Sequence, residues 1–281
     1  MKPFLFILLL FAGNLSMAQN IRVITYNIRF NNPDDGENAW PNRSNQVSAL
    51  LDFHQADIFG LQEALIGQIE DIQAQLPNME WVGVGRDDGK KAGEYSPLFY
   101  NSKKFDALQK GWFWLSETPE KPGLGWDAAC NRVCTWLILK ENKSKKKIMV
   151  LNTHFDHMGN QARTESAKLI LRKIKELNTS DLPVILTGDF NLTPEKEPIA
   201  VIKNKLNDSR SVSKEAPYGP EGTFNGFKFD SPLKDRIDYI FVSNQIEVKQ
   251  YGVLTDSNDQ RYPSDHLPVF VNLELKGGKT K

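Results

Sequence analysis

The chain reads as an α/β domain in layers, with sheets packed on each other and helices outside. Three observations predict it. Short apolar runs of β character recur from residue 21 to residue 275, stretches of helical spacing fall between them, and no Pro/Gly/Ser-rich linker separates one part from another. A chain of 281 residues is long enough to bury a sizeable core as one layered unit.

Residues 21–26 form the first β-like run, which stops at Asn27. Val47, Leu50, Leu51 and Phe53 give residues 44–54 helical spacing, with Ser44 placed to cap that helix. The pattern then repeats, because 58–61 is apolar, Glu63 follows, and 66–76 is spaced as a helix. Strands are predicted over 81–84, 97–100, 111–115, 133–140 and 148–153, a long helix over 162–177 and a buried strand over 184–186. Pro198 opens a short helix reaching residue 206. Strands over 237–242, 246–253 and 269–275 complete the set. Residues 83–93, 117–129 and 209–230 read as long loops, where substrate selection usually resides. Trp112, Trp114 and Trp136 read as core rather than as a base-stacking platform.

Lysine plus arginine and aspartate plus glutamate both number 35, so the formal net charge is zero. That argues against a protein that holds long nucleic acid by neutralising phosphates, and no stable nucleic-acid complex is expected. The lysine-rich stretch 143–147 lies between two β-like runs and reads as a solvated hairpin tip. Lys2, an apolar run over 4–12 and the small-x-small pattern Ser16-Met17-Ala18 have the layout of a cleavable secretory signal over residues 1–18. The predicted product is a single domain over 19–281, exported to the periplasm or beyond and monomeric. The apolar run is too short for a stable membrane anchor, and no other is long enough to span. Cys130 and Cys134 would share a strand face about 13 Å apart, too far for a disulfide, and read as small packing residues.

Acid, amide and imidazole groups sit where six β-like runs stop: Asn27, Glu63, His154 with Asp156, Asp189 with Asn191, Asp238, and Asp265 with His266. In extended backbone Asp189 and Asn191, two residues apart, face one side and converge. Neighbouring strand ends of a layered sheet can share one rim, so these groups can meet in a single cleft. Carboxylates with an amide are hard oxygen donors suited to Mg²⁺ or Mn²⁺, with Glu63 and Asp265 as the ligands. Zinc is the runner-up, since His154, His157 and His266 are present without a zinc-type spacing. Histidines beside a hard metal suit phosphoester hydrolysis, in which water must be aligned and deprotonated and phosphoryl charge stabilised. Asp189 would take the proton and Asn191 would hold the water or a phosphate oxygen. His154 and His266 would donate to phosphate, with Asp238 fixing the tautomer of His266. Arg132 is a candidate phosphate contact, and Asp156 a second candidate for touching the substrate.

Taken in order, Thr25-Tyr26-Asn27, Leu61-Gln62-Glu63, Asn152-Thr153-His154, Gly188-Asp189-Phe190-Asn191, Arg236-Ile237-Asp238-Tyr239-Ile240 and Ser264-Asp265-His266 resemble the endonuclease/exonuclease/phosphatase superfamily. Gly93-Glu94-Tyr95, residues 125–129 and Asn131-Arg132 are most similar to its deadenylase-like and bacterial secreted branches. The resemblance implies a four-layer α/β/β/α sandwich of two packed mixed β-sheets with helices outside. It implies metal-dependent attack of water on a phosphoester, with Glu63 and Asp265 at the metal, Asn27 supporting it and His154 on the phosphate. It also implies Asp189 and Asn191 at the attacking water and Asp238 orienting His266. The base is Asp189 or His266, and Asp189 is favoured. The segment Phe155-Asp156-His157 departs from inositol phosphatases. The competing reading is a non-catalytic module that binds a phosphate ligand on the same scaffold.

Overall fold

The structure, a computed structural model, describes residues 20–276; the predicted signal over 1–18 lies outside them. Its strands form two six-stranded mixed sheets packed face to face. The first holds β1 (Ile21–Asn27), β2 (Ile58–Gln62), β3 (Met79–Val82), β4 (Leu98–Asn101), β11 (Ile246–Val253) and β12 (Val269–Leu275), in the order β11-β12-β1-β2-β4-β3. The second holds β5 (Phe105–Trp114), β6 (Val133–Glu141), β7 (Lys147–His154), β8 (Val184–Asp189), the two-residue β9 (Asn207–Asp208) and β10 (Asp238–Val242), in the order β5-β6-β7-β8-β10-β9.

Alternation along the strands divides the core into three layers. Val23, Ile58, Leu139, Val150, Ile185 and Val271 meet between the sheets. Ile24, Phe59 and Phe99, on the opposite face of the first sheet, pack on α1 (Trp40–Phe53) and α2 (Ile66–Gln75) through Val47, Leu51, Ile69 and Ile72. Met149, Leu151 and Phe241 do the same for the second sheet with α3 (Asn160–Leu177) and α4 (Glu197–Lys203). The layers therefore run helix, sheet, sheet, helix, which is the predicted sandwich. Both faces of the central strands are covered, so β2, β8 and β10 are buried along their whole length.

Several local expectations are corrected. The first helix begins at Trp40, with Pro41 in its first turn, so Ser44 lies inside it and caps nothing. Phe53, assigned to its apolar face, is 78% exposed at the helix end. Trp114 is core, but Trp112 is 41% exposed on the outer strand. A 3-10 helix over Pro33–Asn38 and the one-turn α5 (Ser209–Val212) occupy stretches that carry no apolar period. Cys130 and Cys134 are unpaired thiols; Cys134 is packed in the core, while Cys130 reaches the cleft described below.

Register decides where the polar strand ends go. β1 and β2 run parallel with Asn27 opposite Gln62, and β7 and β8 run parallel with His154 opposite Asp189. β10 runs antiparallel to β8 and starts where β8 stops, setting Asp238 opposite Asp189. β12 likewise starts at Val269 opposite Thr25, just after Asp265 and His266. Four strand ends and two strand starts thus share one rim. Beneath it a buried polar network ties the sheets together. Gln62 Nε2 donates to Asn152 Oδ1 (2.7 Å) and Thr25 Oγ1 (3.0 Å), and Asn152 Nδ2 donates to the carbonyls of Leu61 (2.7 Å) and Pro97 (2.9 Å). Thr187 Oγ1 donates to the same Asn152 oxygen at 3.0 Å. Residue 60 must be glycine for this packing, since a Cβ there would stand 2.4 Å from Asn152 Oδ1.

Candidate active site

The rim opens into a cleft of about 520 Å³ lined by Glu63, His154, Asp189, Asn191, Asp265 and His266, with Arg29, Arg86, Glu94 and Arg132 around them. Asp189 is its centre. Its Oδ1 accepts from the backbone N–H of Asn191 (2.8 Å), and its Oδ2 accepts from Asn27 Nδ2 (3.0 Å). The same oxygen lies 3.4 Å from His154 Nε2 and 3.8 Å from His266 Nε2. Asp189 and Asn191 do converge, but not by strand alternation. β8 stops at Asp189, and Asn191 lies at φ 51° in a turn closed by the bond between them. Glu63 (φ 61°) and Arg29 (φ 53°) are also left-handed. Non-glycine residues adopt that region at a cost, which the surroundings must hold in place.

Burial, and next the neighbouring Asp238 carboxylate, push the Asp189 carboxyl well above the ordinary carboxylate range. His266 moves the other way from what burial alone dictates. Its Nδ1 lies 2.9 Å from Asp238 Oδ2, and Asp238 and Asp189 together hold the imidazole well above its usual value despite desolvation. His154 is held well below its usual value by burial and by the Arg132 charge, so it is a neutral ring. Asn191 Nδ2 donates to His154 Nε2 (3.0 Å) and to the Phe155 carbonyl (3.0 Å). With Asn191 Nδ2 as the donor Nε2 accepts, while Nδ1 is buried without a hydrogen-bond partner among the described residues. The expected donation from His154 to a phosphate oxygen, if made by Nε2, requires that nitrogen to carry the ring proton.

Glu63 and Asp265 face the same cleft. Glu63 accepts from Asn27 Nδ2 (3.1 Å) and from the Phe30 N–H (3.2 Å), and its nearest cation is Arg29 at 3.9 Å. Asp265 belongs to no ion pair among the described residues, although burial raises its carboxyl. Two hard oxygen donors without a fitted cation suit a divalent metal ion. Asn27, expected among the metal residues, is placed differently. Its amide nitrogen faces Glu63 and Asp189 and its Oδ1 accepts from the Arg29 N–H (3.0 Å), so in this arrangement it orients the two carboxylates. His157, the third histidine weighed for zinc, also lines the cleft, with its Nδ1 3.2 Å from Arg132 Nη2.

Asp156 is a correction as well. Its carboxylate accepts from the N–H groups of Ala129 (3.0 Å), Met158 (2.9 Å) and Gly159 (2.6 Å) and lies 3.8 Å from Arg132 Nε. It is buried and does not line the cleft. A carboxylate saturated by backbone donors positions a loop and the Arg132 side chain; it has nothing left for a substrate. Arg132 does reach the cleft, with Nε and Nη1 buried and unpartnered among the described residues.

Sequence reasoning gave no role to the opposite wall. Arg86 Nη1 donates to Glu94 Oε2 (2.6 Å), and both residues sit in a loop with no periodic signal. Phe224 lies edge-on to the His266 ring at 5.1 Å, and Arg29 covers Phe30 at 4.3 Å. Thr223 Oγ1 accepts from the N–H groups of Ile237 (3.0 Å) and Asp238 (3.2 Å), which anchors the start of β10. The sequence marked 83–93 and 209–230 only as long loops suited to substrate selection, and Gly93-Glu94-Tyr95 as a local likeness, without assigning a residue of this wall a role.

Two facing mixed sheets with a rim of carboxylates, amides and imidazoles define a hydrolase of phosphoester bonds. Residues 24–266 match the endonuclease/exonuclease/phosphatase family, and the chain belongs to it. Enzymes of this family generally depend on a divalent metal, and the rim offers groups able to bind one. The chain is 42% identical to an endonuclease/exonuclease/phosphatase family protein of Bacteroides thetaiotaomicron, with a TM-score of 0.89 over 92% of this chain and 99% of that one. It is 43% identical to a mannosyl-6-phosphatase of the same organism, with a TM-score of 0.87 over 90% and 99% of the two chains. It is also 22% identical over 348 residues to the 3'-5'-exoribonuclease subunit Ccr4 of the Mycosarcoma maydis CCR4-Not complex. That match covers 94% of this chain but spans only about half (52%) of Ccr4.

Proposed function

We propose that the protein is an exported, Mg²⁺- or Mn²⁺-dependent phosphoesterase whose substrate is a small polar phosphate ester, with the phosphomonoester of a sugar as the leading candidate. The observation that carries this reading is the convergence of Asp189, Asp238 and His266 on one side of the rim with Glu63 and Asp265 on the other. The mannosyl-6-phosphatase relative supports the sugar ester, and the zero net charge speaks against a nucleic-acid track.

Glu63 and Asp265 would hold the metal, which when bound polarises the phosphoryl group and stabilises its charge. Asp189, whose carboxyl burial and Asp238 hold above the ordinary range, accepts the proton of the attacking water. Asn191 keeps Asp189 in place through its backbone N–H. His266, held by Asp238 through Nδ1, presents Nε2–H towards the charge that develops on phosphate. Arg132, which lines the cleft, brings its guanidinium charge to the phosphate from the other side.

The test is phosphate release from mannose 6-phosphate, phenyl phosphate and bis-p-nitrophenyl phosphate with Mg²⁺ or Mn²⁺, before and after EDTA. Turnover that needs metal is expected on the monoesters. Inertness towards a broad phosphoester panel with both metals would leave the phosphate-binding module as the better account. Export is tested by the N-terminus of protein recovered from a bacterial periplasm or medium, expected at Gln19; recovery of the uncut chain from the cytoplasm would refute it.

A further inference from the structure

We propose that the Arg86–Glu94 pair is a hydroxyl-reading subsite that selects the leaving group of the ester, recognising a polyhydroxy alcohol through adjacent hydroxyls. This rests on the phosphoesterase reading and extends it to the part of the substrate that departs. The pair lies in the same cleft as the metal-side and water-side residues. Its side chains are 16% and 18% exposed. An ion pair withdrawn this far from water contributes little to stability, because desolvation offsets the attraction. Another reason for its presence is needed, and recognition supplies one.

The loop is built to hold the pair. Arg86 N–H donates to the Glu94 carbonyl (3.0 Å), Asp87 N–H to the Ala92 carbonyl (3.1 Å), and Trp114 Nε1 to the Arg86 carbonyl (2.7 Å). Gly93 stands at φ 80°, where a Cβ would come within 2.3 Å of Asp87 Oδ2, so only glycine allows the loop to close beside Glu94. One Glu94 oxygen is taken by Arg86, and no hydrogen bond reaches Oε1 among the described residues; Arg86 Nε is buried without an acceptor, 3.9 Å from Asp87 Oδ1. A carboxylate oxygen without a donor beside a cationic guanidinium matches a pair of neighbouring hydroxyls, one donating and one accepting. A second phosphate is a poorer fit, because Glu94 already neutralises Arg86 and would repel it. Phe30 and Phe224 add apolar surfaces for the C–H faces of a sugar ring.

The experiment compares kcat/KM for mannose 6-phosphate and phenyl phosphate, which share the phosphate and differ in hydroxyls, in the wild-type protein, Glu94→Gln and Arg86→Lys. Hydrogen bonds to charged groups of this kind are each worth about tenfold to a hundredfold. Both substitutions are expected to reduce the sugar-to-phenyl ratio by at least about tenfold, mainly through KM. Turnover of phenyl phosphate shows that each variant is folded. Equal loss on both esters, or an unchanged ratio, would overturn the subsite while leaving the phosphoesterase intact. Improved turnover of a sugar bisphosphate by Glu94→Gln, with mannose 6-phosphate unaffected, would overturn it too and point to a second anion site. A wild-type protein inert on both esters would instead sink the underlying function.

Discussion

The floor of the cleft and its far wall are built by different means. The floor is made of strand ends, and backbone register puts His154 beside Asp189 and Asp189 beside Asp238 before any side chain is considered. The wall is made of loops, and its groups are held by glycine turns and by one buried carboxylate, Asp156, that collects backbone N–H groups. Chemistry located on the sheet can stay fixed while a wall of loops changes with the substrate. The floor should therefore control kcat, and the wall KM and choice of ester.

The sharpest break between the two is Asp189→Ala. Losing the proton acceptor is expected to lower kcat by about 10²–10⁴-fold, with KM little changed. Burial and Asp238 already disfavour the charge, but Asn27 Nδ2, the Asn191 N–H and His266 lose their acceptor, so thermal stability is expected to change only modestly. Steady-state kinetics with a melting curve reads both. A loss confined to KM would move Asp189 from the chemistry to binding.

Asp238→Asn comes next. It keeps the shape but removes the charge opposite His266 Nδ1, and groups that orient a catalytic side chain in this way are worth roughly 10–100-fold. The fall should appear in kcat for sugar and phenyl esters alike, since the floor does not see the leaving group. Full activity would mean that His266 needs no partner.

This contrast also explains what the sequence could and could not reveal. Asn27, Glu63, Asp189 and Asp265 were legible because polar groups at the ends of apolar runs are costly unless used. Their roles were less legible. Asn27 carries an oxygen that suits a metal, yet hydrogen bonding turns its nitrogen inward. Asp156 looks chemical in sequence, and only the fold shows its oxygens filled. Arg86 and Glu94 sit in a loop without a period, where neither burial nor pairing can be read from spacing. The left-handed turns at Glu63 and Asn191 were equally invisible, because nothing in those residue types demands them.

On the wall, Asp156→Asn tests the idea that positioning acts through Arg132. The amide keeps one acceptor but loses the charge beside Arg132 Nε and presents N–H groups to backbone donors. KM is expected to rise about tenfold, with kcat within a few-fold and a modest drop in melting temperature, as for the loss of one or two charge-assisted bonds. A collapse of kcat on the scale of Asp189→Ala would return Asp156 to the reacting centre.

Cys130→Ser should matter least, although Cys130 lines the cleft and its Sγ lies within 4.8 Å of side-chain atoms of Asp156 and His157. Its Sγ makes one hydrogen bond among the described residues, 3.8 Å to Asp156 Oδ2, and burial raises the thiol above its ordinary value, which disfavours a free reactive thiolate. Serine preserves the donor at nearly the same volume, and kcat/KM should stay within about twofold. Matching kinetics in reducing and non-reducing buffer would place this thiol with the wall's packing. A large loss in the serine variant would instead mean that the wall, like the floor, carries chemistry.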